Sequence, residues 1–169
     1  MNAKRQSQSK GRTFTKDNYC AADLLHAAID HLGSSRVLFE RHPRCFDSAG
    51  YLAHLGFELI FKAVLLHTTG QFPGEHSFPK LLSVIKSAGV DFPFDDSQHH
   101  LLDKLEEFKD LRYPIPSGSP SIGDQDWEQA EALFRWIVAR IPTELRQHIQ
   151  FVDQTVKFNR ILMRKPKVI

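Results

Sequence analysis

Apolar residues are most concentrated between Ser48 and Thr69, where the sequence SAGYLAHLGFELIFKAVLLHTT is hydrophobic on nearly every side. The stretch contains no proline and no regular alternation of apolar and polar residues, so it predicts a long helix rather than a strand. It is also about as long as a membrane span, which takes about 20 residues. Glu58 and Lys62 would lie near mid-bilayer at a cost of roughly 2.5 to 3.5 kcal/mol each, which favours the core helix of a soluble bundle.

The polar side chains of this helix follow a regular spacing. His54, Glu58 and Lys62 are four residues apart, which places them in one row along the helix and makes them ligand-binding candidates. A carboxylate on an apolar helix can have a raised pKa and act as an acid, a base or a ligand contact. The alternative is an ion pair between Glu58 and Lys62, because this i, i+4 order stabilises helices. Both alternatives are compatible with a position at a dimer groove.

Hydrophobic periodicity also predicts helices on either side of the central one. A stripe of apolar residues indicates a first helix from about Asp17 to about His42, ahead of a proline. The short connection that follows predicts that the first two helices are antiparallel. Gly70 ends the central helix, and a shorter helix begins near Ser77 and stops at Gly89.

The second half of the chain continues this pattern. A helix capped near Asp95 is predicted to end at Tyr113, and residues 114–123, PIPSGSPSIG, are predicted to form a loop. Asp124 is predicted to cap a further helix, and Thr143 is predicted to begin a last one. No stretch shows the pattern of a strand. The predicted fold class is therefore all-α, an antiparallel up-and-down bundle of four to six helices.

The distribution of charge bounds the domain organisation. The chain has 169 residues, of which 41% are hydrophobic and 25% are charged, as in a single globular domain. Both ends carry basic residues without any acid, so we predict a basic disordered tail over 1–16, a helical domain over 17–160 and a basic tail over 161–169. Such tails on a more acidic body can hold nucleic acid, a membrane surface or a second copy, or they are merely solvated.

Two features bear on the cellular compartment. Cys20 and Cys45 lack the CxxC spacing of a metal knuckle, and two cysteines do not form a disulfide framework. The N-terminus has no apolar core of a secretory signal. We therefore expect a cytoplasmic protein in a reducing environment that does not associate with a membrane.

Metal sites and catalytic motifs receive little support. Asp23 with His26 and Asp96 with His99 have the i, i+3 spacing that can bring a carboxylate and an imidazole to one metal. However, Asp23 lies off the apolar stripe and Asp96 is better placed as a helix cap, so no metal and no cofactor are predicted. The sequence contains no Gly-rich phosphate loop, nucleophile elbow or zinc-protease motif. A binding module is thus favoured over an enzyme.

Three further residues are candidates for contact with a ligand. Arg112 and Tyr113 precede the long loop, where the arginine can bind a phosphate through two N–H groups and the tyrosine can stack on a base. The alternative is structural: the positive charge of the arginine stabilises the C-terminus of the helix through its dipole, and the tyrosine packs beside it. His76 can contact an anion at the start of a helix, and local capping is its alternative.

Two segments of the chain carry a resemblance to a known family. The run HLGFELIFKAVLLHTTGQFPGEHSFPKLL resembles the HEPN domain, in which a glutamate-containing apolar helix precedes a proline/glycine loop, a histidine and a short leucine-rich helix. The later LRYPIP, followed by a loop and an alanine- and leucine-containing helix, resembles the Arg-Tyr-Pro element of one branch of that family. The resemblance covers roughly residues 17–141. It implies a bundle of four or five helices that usually dimerises, with partners among nucleotides, RNA and minimal nucleotidyltransferases, commonly in prokaryotic defence or toxin-antitoxin systems.

The resemblance also raises the question of ribonuclease activity, because many HEPN proteins are metal-independent ribonucleases with an arginine and a nearby histidine on a late helix. In this chain the late helix has Arg135 and Arg140 without a histidine at that spacing. Arg36 and His42 have the spacing, at the end of the first helix, and are the catalytic candidates. In that role the histidine would act as general acid or base on the ribose 2′-hydroxyl while the arginine neutralises the phosphate.

Three functions are therefore considered. The first is a homodimeric HEPN-like module that binds a nucleotide, RNA or a nucleotidyltransferase-type partner without strong catalysis of its own. The second is a divergent metal-independent ribonuclease, as in toxin systems. The third is a plain dimeric scaffold.

Overall fold

In the computed structural model, which describes residues 12–110, 120 and 122–149, the fold is dominated by helices. The described residues form one two-stranded sheet and six α-helices: β1 (Thr13–Thr15), α1 (Ala21–Arg41), α2 (Phe46–Thr69), β2 (Gln71–Pro73), α3 (Phe78–Ser87), α4 (Asp96–Glu106), α5 (Asp124–Val138) and α6 (Thr143–Arg146). Short 3-10 turns at Pro43–Cys45 and Glu107–Asp110 precede α2 and follow α4. The predicted all-α fold class with four to six helices is confirmed.

The first two helices are antiparallel. The hydroxyl of Ser35, late in α1, donates to the carbonyl of Ala49, early in α2, at 2.5 Å. Gly56, about two turns further along α2, lies against Leu32 and Ala28, which come earlier in α1. Contacts further along α2 thus involve residues earlier in α1, so the two helices are antiparallel, as the short connection between them predicted.

The remaining long helices alternate in the same way. The backbone N–H of Phe78, at the start of α3, donates to the carboxylate of Glu106, at the end of α4, at 2.9 Å. The ammonium of Lys104, late in α4, lies 2.7 Å from the carboxylate of Asp126, early in α5. Both contacts join the end of one helix to the beginning of another, so α3, α4 and α5 are successively antiparallel.

The central helix α2 is the core of this bundle. It is long and apolar enough to cross a membrane, but 78% of its most apolar stretch is buried in the protein, as expected of a core helix. Gly56 allows close packing on α1, since a Cβ atom there would lie 2.6 Å from Cγ of Leu32. Gly70 ends the helix with a φ of 77°, and its N–H donates to the carbonyl of Leu66, so the predicted stop is confirmed.

The prediction that no stretch forms a strand was wrong. Thr13–Thr15 pairs antiparallel with Gln71–Pro73, and Phe14 lies opposite Phe72 with the ring centroids 5.2 Å apart. Strands of three residues are too short to show an alternating pattern, so periodicity does not reveal them. Thr13–Thr15 lies within the segment predicted as a basic disordered tail, and its pairing places it beside the end of α2.

Several helix boundaries differ from the predicted ones. The first helix begins at Ala21 rather than near Asp17, because Asp17 lies in the turn after β1 and its carboxylate accepts a hydrogen bond from Thr15. The helix predicted to start after an Asp124 cap instead includes Asp124, with Gly123 at the N-cap position. The predicted ends at Tyr113 and beyond residue 149 lie outside the described residues.

Candidate functional site

The row of polar residues on α2 is buried. His54, Glu58 and Lys62 have exposed fractions of 2%, 3% and 5%. Their i, i+4 spacing keeps them on one line of the helix, and that line faces the start of α3 and the segment that connects α2 to α3. Charged groups at such depth are rare unless they are paired, so the partners of this row decide its chemistry.

The carboxylate of Glu58 is the centre of a four-residue cluster. Lys62 donates to it, with Nζ 2.6 Å from Oε1, and Nδ1 of His76 lies 3.0 and 3.1 Å from its two oxygens. Nε2 of His54 is 3.5 Å from Oε2. The structure therefore brings together all four of the predicted ligand-binding residues that fall within the described part of the chain. We call these residues the Glu58 cluster.

His76 reaches the cluster from the segment between β2 and α3. Although its Nδ1 contacts the buried carboxylate, 56% of its side chain is exposed. The neighbouring Glu75 holds the backbone in place, because its carboxylate accepts hydrogen bonds from the N–H groups of His76 and Ser77 and from Lys80. The contact with Lys80 lowers the pKa of Glu75 more than its slight burial raises it. The imidazole is thus fixed on one edge and open to solvent elsewhere.

The protonation state of Glu58 distinguishes a carboxyl group with a raised pKa from an ion pair with Lys62. Burial alone would raise the pKa of its carboxyl group, but the contacts with His54 and Lys62 and the fields of Lys62 and His76 lower it from 4.5 to about 2. The carboxylate is therefore ionised at neutral pH, in agreement with the ion-pair alternative rather than with a raised pKa. The ion pair with Lys62 is confirmed by the 2.6 Å contact.

This arrangement determines what the cluster can do chemically. An ionised carboxylate accepts a hydrogen bond from Nδ1–H of His76, which sets the tautomer and the ring orientation. Nε2 lies on the opposite side of the ring and is directed away from Glu58. An oriented, exposed imidazole can contact an anion or move a proton, whereas Glu58 itself acts only as a fixed negative charge.

His54, the first residue of the row, also contacts residues of α3 and α4. Its ring stacks on Phe78 with the centroids 4.4 Å apart, and its Nδ1 is 4.0 Å from a carboxylate oxygen of Glu106. Neither ring nitrogen has a hydrogen-bond partner among the described residues. Glu106 was not a candidate from the sequence, because its only local signal is the i, i+3 pairing with Lys109, and its contact with the N–H of Phe78 joins distant segments.

The catalytic candidates are not brought together. Nε of Arg36 lies 2.6 Å from Oε1 of Glu40 and 4.0 Å from Oε1 of Glu131 on α5. His42 follows the last residue of α1, and its ring is exposed without a hydrogen bond or ion pair within the part of the chain that the structure describes. Arg36 is thus engaged in an acidic environment between α1 and α5, and it shares no hydrogen bond or ion pair with His42 among the described residues.

The other candidates have simple outcomes. Arg112 and Tyr113 lie outside the described residues. His26 contacts the carbonyl of His148 at 3.2 Å, and Asp96 is the first residue of α4. Within residues 12–110, 120 and 122–149, no three histidine, cysteine or acidic side chains are grouped closely enough to hold a metal ion.

Comparison with known proteins identifies the family. Residues 21–141 match the family model of the HEPN domain. The chain therefore belongs to the HEPN domain family, as the resemblance predicted. No curated protein and no solved structure matches the chain. Membership in this family is consistent with a helical module of nucleotide- or RNA-related function.

Proposed function

We propose that this HEPN protein is a binding module that holds a phosphate group of a nucleotide or of RNA at the exposed edge of His76. The observation that carries the proposal is the pair of contacts, 3.0 and 3.1 Å, between Nδ1 of His76 and the buried carboxylate of Glu58. A ring held in this way presents Nε2 to solvent in one orientation. Binding then costs less conformational entropy than it would with a freely rotating side chain.

The charge balance of the cluster supports an anionic ligand. The ammonium of Lys62 neutralises Glu58 at 2.6 Å, so the carboxylate does not present an uncompensated negative charge beneath the imidazole. Nε2–H of a protonated His76 can then donate a charge-assisted hydrogen bond to a phosphate oxygen.

The wider setting is part of the same proposal and draws its support from the family. We infer a cytoplasmic homodimer in a prokaryotic defence or toxin-antitoxin system, with a nucleotidyltransferase-type protein as partner. Sedimentation of the purified full chain tests the homodimer directly. A monomeric mass at micromolar concentration would remove the homodimer from the proposal.

Binding is tested by fluorescence polarisation with a labelled RNA oligonucleotide, competed by ATP, for the wild-type chain and two variants. His76→Gln removes the imidazole, and His67→Gln is the matched control, since His67 is exposed on the last turn of α2. We expect about a tenfold loss of affinity in His76→Gln, or about 1.4 kcal/mol, and no change in His67→Gln. Equal affinities for all three proteins would overturn the proposed role of His76.

A ribonuclease is the second candidate, because an exposed imidazole oriented by a carboxylate is also the arrangement of a general base. Purified protein is incubated with total cellular RNA in EDTA, beside the double variant Arg36→Ala/His42→Ala and the single variant His76→Gln. Cleavage that is lost only in the double variant assigns the reaction to Arg36 and His42, and loss only in His76→Gln assigns it to the Glu58 cluster. A folded protein that neither cleaves nor binds RNA is the plain scaffold.

A further inference from the structure

A concave site distinct from the Glu58 cluster runs along α3 from Pro79 to Lys86. It is a groove of about 440 Å³ between α3, residues 90–94 and the first turn of α4. The volume falls within the range of about 300 to 1,000 Å³ that small-molecule sites occupy. We call it the α3–α4 groove. Because α3 rises about 1.5 Å per residue, Lys86 at the groove is about 12 Å along the helix from Phe78 at the cluster.

The wall of the α3–α4 groove is aromatic. Phe94 is half-buried and lines the groove together with Phe92, whose ring is nearly parallel to it at a centroid distance of 5.7 Å. Trp136 of α5 packs on Phe94 with the ring centroids 5.2 Å apart, and the guanidinium of Arg140 lies 3.8 Å from the centre of the Trp136 ring. Phe94 is therefore a supported flat surface rather than a mobile side chain, which is the requirement for stacking a planar ring.

The rim of the α3–α4 groove is polar. The ammonium of Lys86 makes no ion pair within the described residues, and the imidazole of His99 lies nearly perpendicular to the ring of Phe94, with the ring centroids 5.6 Å apart. Both groups are exposed and can meet an anion. Ser83 and the carboxylate of Asp91 also line the groove, and an exocyclic amino group of a base can donate to such a carboxylate.

We propose that the α3–α4 groove binds an amino-bearing nucleobase with its phosphate, the base against Phe94 and the phosphate against Lys86 and His99. Adenine and cytosine carry such amino groups. The same chemistry is presented by a free mononucleotide and by the 5′-phosphorylated end of an RNA strand. The site is separate from the Glu58 cluster, because none of the four residues of that cluster lines the groove.

The test is an NMR titration of the isotopically labelled full chain with AMP, adenosine, inorganic phosphate and a 5′-phosphorylated pentaribonucleotide. AMP is expected to shift the amides of residues 79–99, with adenosine and phosphate each binding more weakly than AMP. Tighter binding of the pentanucleotide at the same amides identifies an RNA end as the ligand, and tighter binding of AMP identifies a free nucleotide. Absence of AMP-induced shifts in residues 79–99 would overturn the proposal.

Variants separate this site from nonspecific charge effects. Lys86→Glu is expected to weaken AMP binding about tenfold. Arg44→Glu, the control with the same change of charge at an exposed residue between α1 and α2, leaves it unchanged. Phe94→Leu keeps apolar volume but removes the ring, so it weakens adenosine binding and leaves phosphate binding intact. Equal AMP affinities in Lys86→Glu and Arg44→Glu would contradict the site.

The two proposals can fail separately. His76→Gln is expected to leave the AMP-induced shifts of residues 79–99 unchanged, because His76 does not line the α3–α4 groove. If His76→Gln abolishes these shifts, the groove is not an independent site. Conversely, the AMP-induced shifts can be normal while His76→Gln leaves the RNA affinity unchanged. That result would support AMP binding in the α3–α4 groove and remove the role proposed for the Glu58 cluster.

Discussion

Glu58 and His76 are 18 residues apart, yet Nδ1 of His76 lies 3.0 and 3.1 Å from the two carboxylate oxygens of Glu58. The contact joins the centre of the core helix to the segment that precedes α3. It places an ionised group at 3% exposure beside an imidazole that is largely open to solvent. A buried charge is thereby coupled to a surface group, and the stability of the core and the properties of the surface depend on the same carboxylate.

The first prediction concerns the loss of that carboxylate. Glu58→Gln leaves the buried ammonium of Lys62 without its anionic partner, so we expect the free energy of unfolding to fall by about 3 to 5 kcal/mol. Urea denaturation followed by circular dichroism measures the change. Lys62→Met is the companion variant, since it replaces the ammonium by an apolar side chain of similar length. The double variant should be less destabilised than the sum of the single variants, and strict additivity would contradict the pairing.

The periodicity of the sequence predicted much of this arrangement but not its key contact. Four-residue spacing placed His54, Glu58 and Lys62 in one row, and Gly70 correctly marked the end of α2. Spacing along a helix carries no information on a partner 18 residues away, so the contact with His76 was not predictable. The same reason explains why Glu106 was missed, because it meets Phe78 only after α3 and α4 have packed.

Sequence periodicity also does not predict very short strands or the pKa of a buried charged group. β1 and β2 have three residues each, and their pairing depends on Phe14 meeting Phe72 in space. The pKa of Glu58 could not be predicted either, because burial and the contacts of its carboxylate act in opposite directions. The direction of the net shift depends on distances to Lys62 and His76 that only the fold supplies.

The second prediction tests the close packing of the first two helices. A Cβ atom at Gly56 would lie 2.6 Å from Cγ of Leu32 and 3.1 Å from the carbonyl oxygen of Ala28. Gly56→Ala therefore forces α1 and α2 apart, and we expect a loss of about 1 to 3 kcal/mol in the free energy of unfolding. In the double variant Gly56→Ala/Leu32→Ala the added methyl group occupies space left by the leucine. Chemical denaturation should then show less destabilisation than the two single variants together.

The third prediction concerns the cap that α4 provides for α3. The carboxylate of Glu106 accepts the N–H of Phe78, while Ser77 at the N-cap position makes no side-chain capping bond. We expect Glu106→Ala to destabilise the protein by about 1 kcal/mol and to accelerate hydrogen exchange in the first turn of α3. Glu107→Ala is the matched control, because Glu107 is exposed on the adjacent position. Equal exchange rates in the two variants would show that Glu106 does not cap α3.

The last prediction is the dependence of stability on pH. The pKa of Glu58 is lowered from 4.5 to about 2, so between these values the unfolded state binds more protons at this group than the folded state. The stabilisation from Glu58 is complete above pH 4.5 and is lost as the pH falls toward 2. A shift of this size corresponds to about 3 kcal/mol. Urea denaturation of the wild type and Glu58→Gln between pH 6 and pH 2.5 isolates this contribution, because all other carboxyl groups are common to both. The difference in stability should narrow as the pH falls, and a difference that stays constant would show that Glu58 is not held ionised by its contacts.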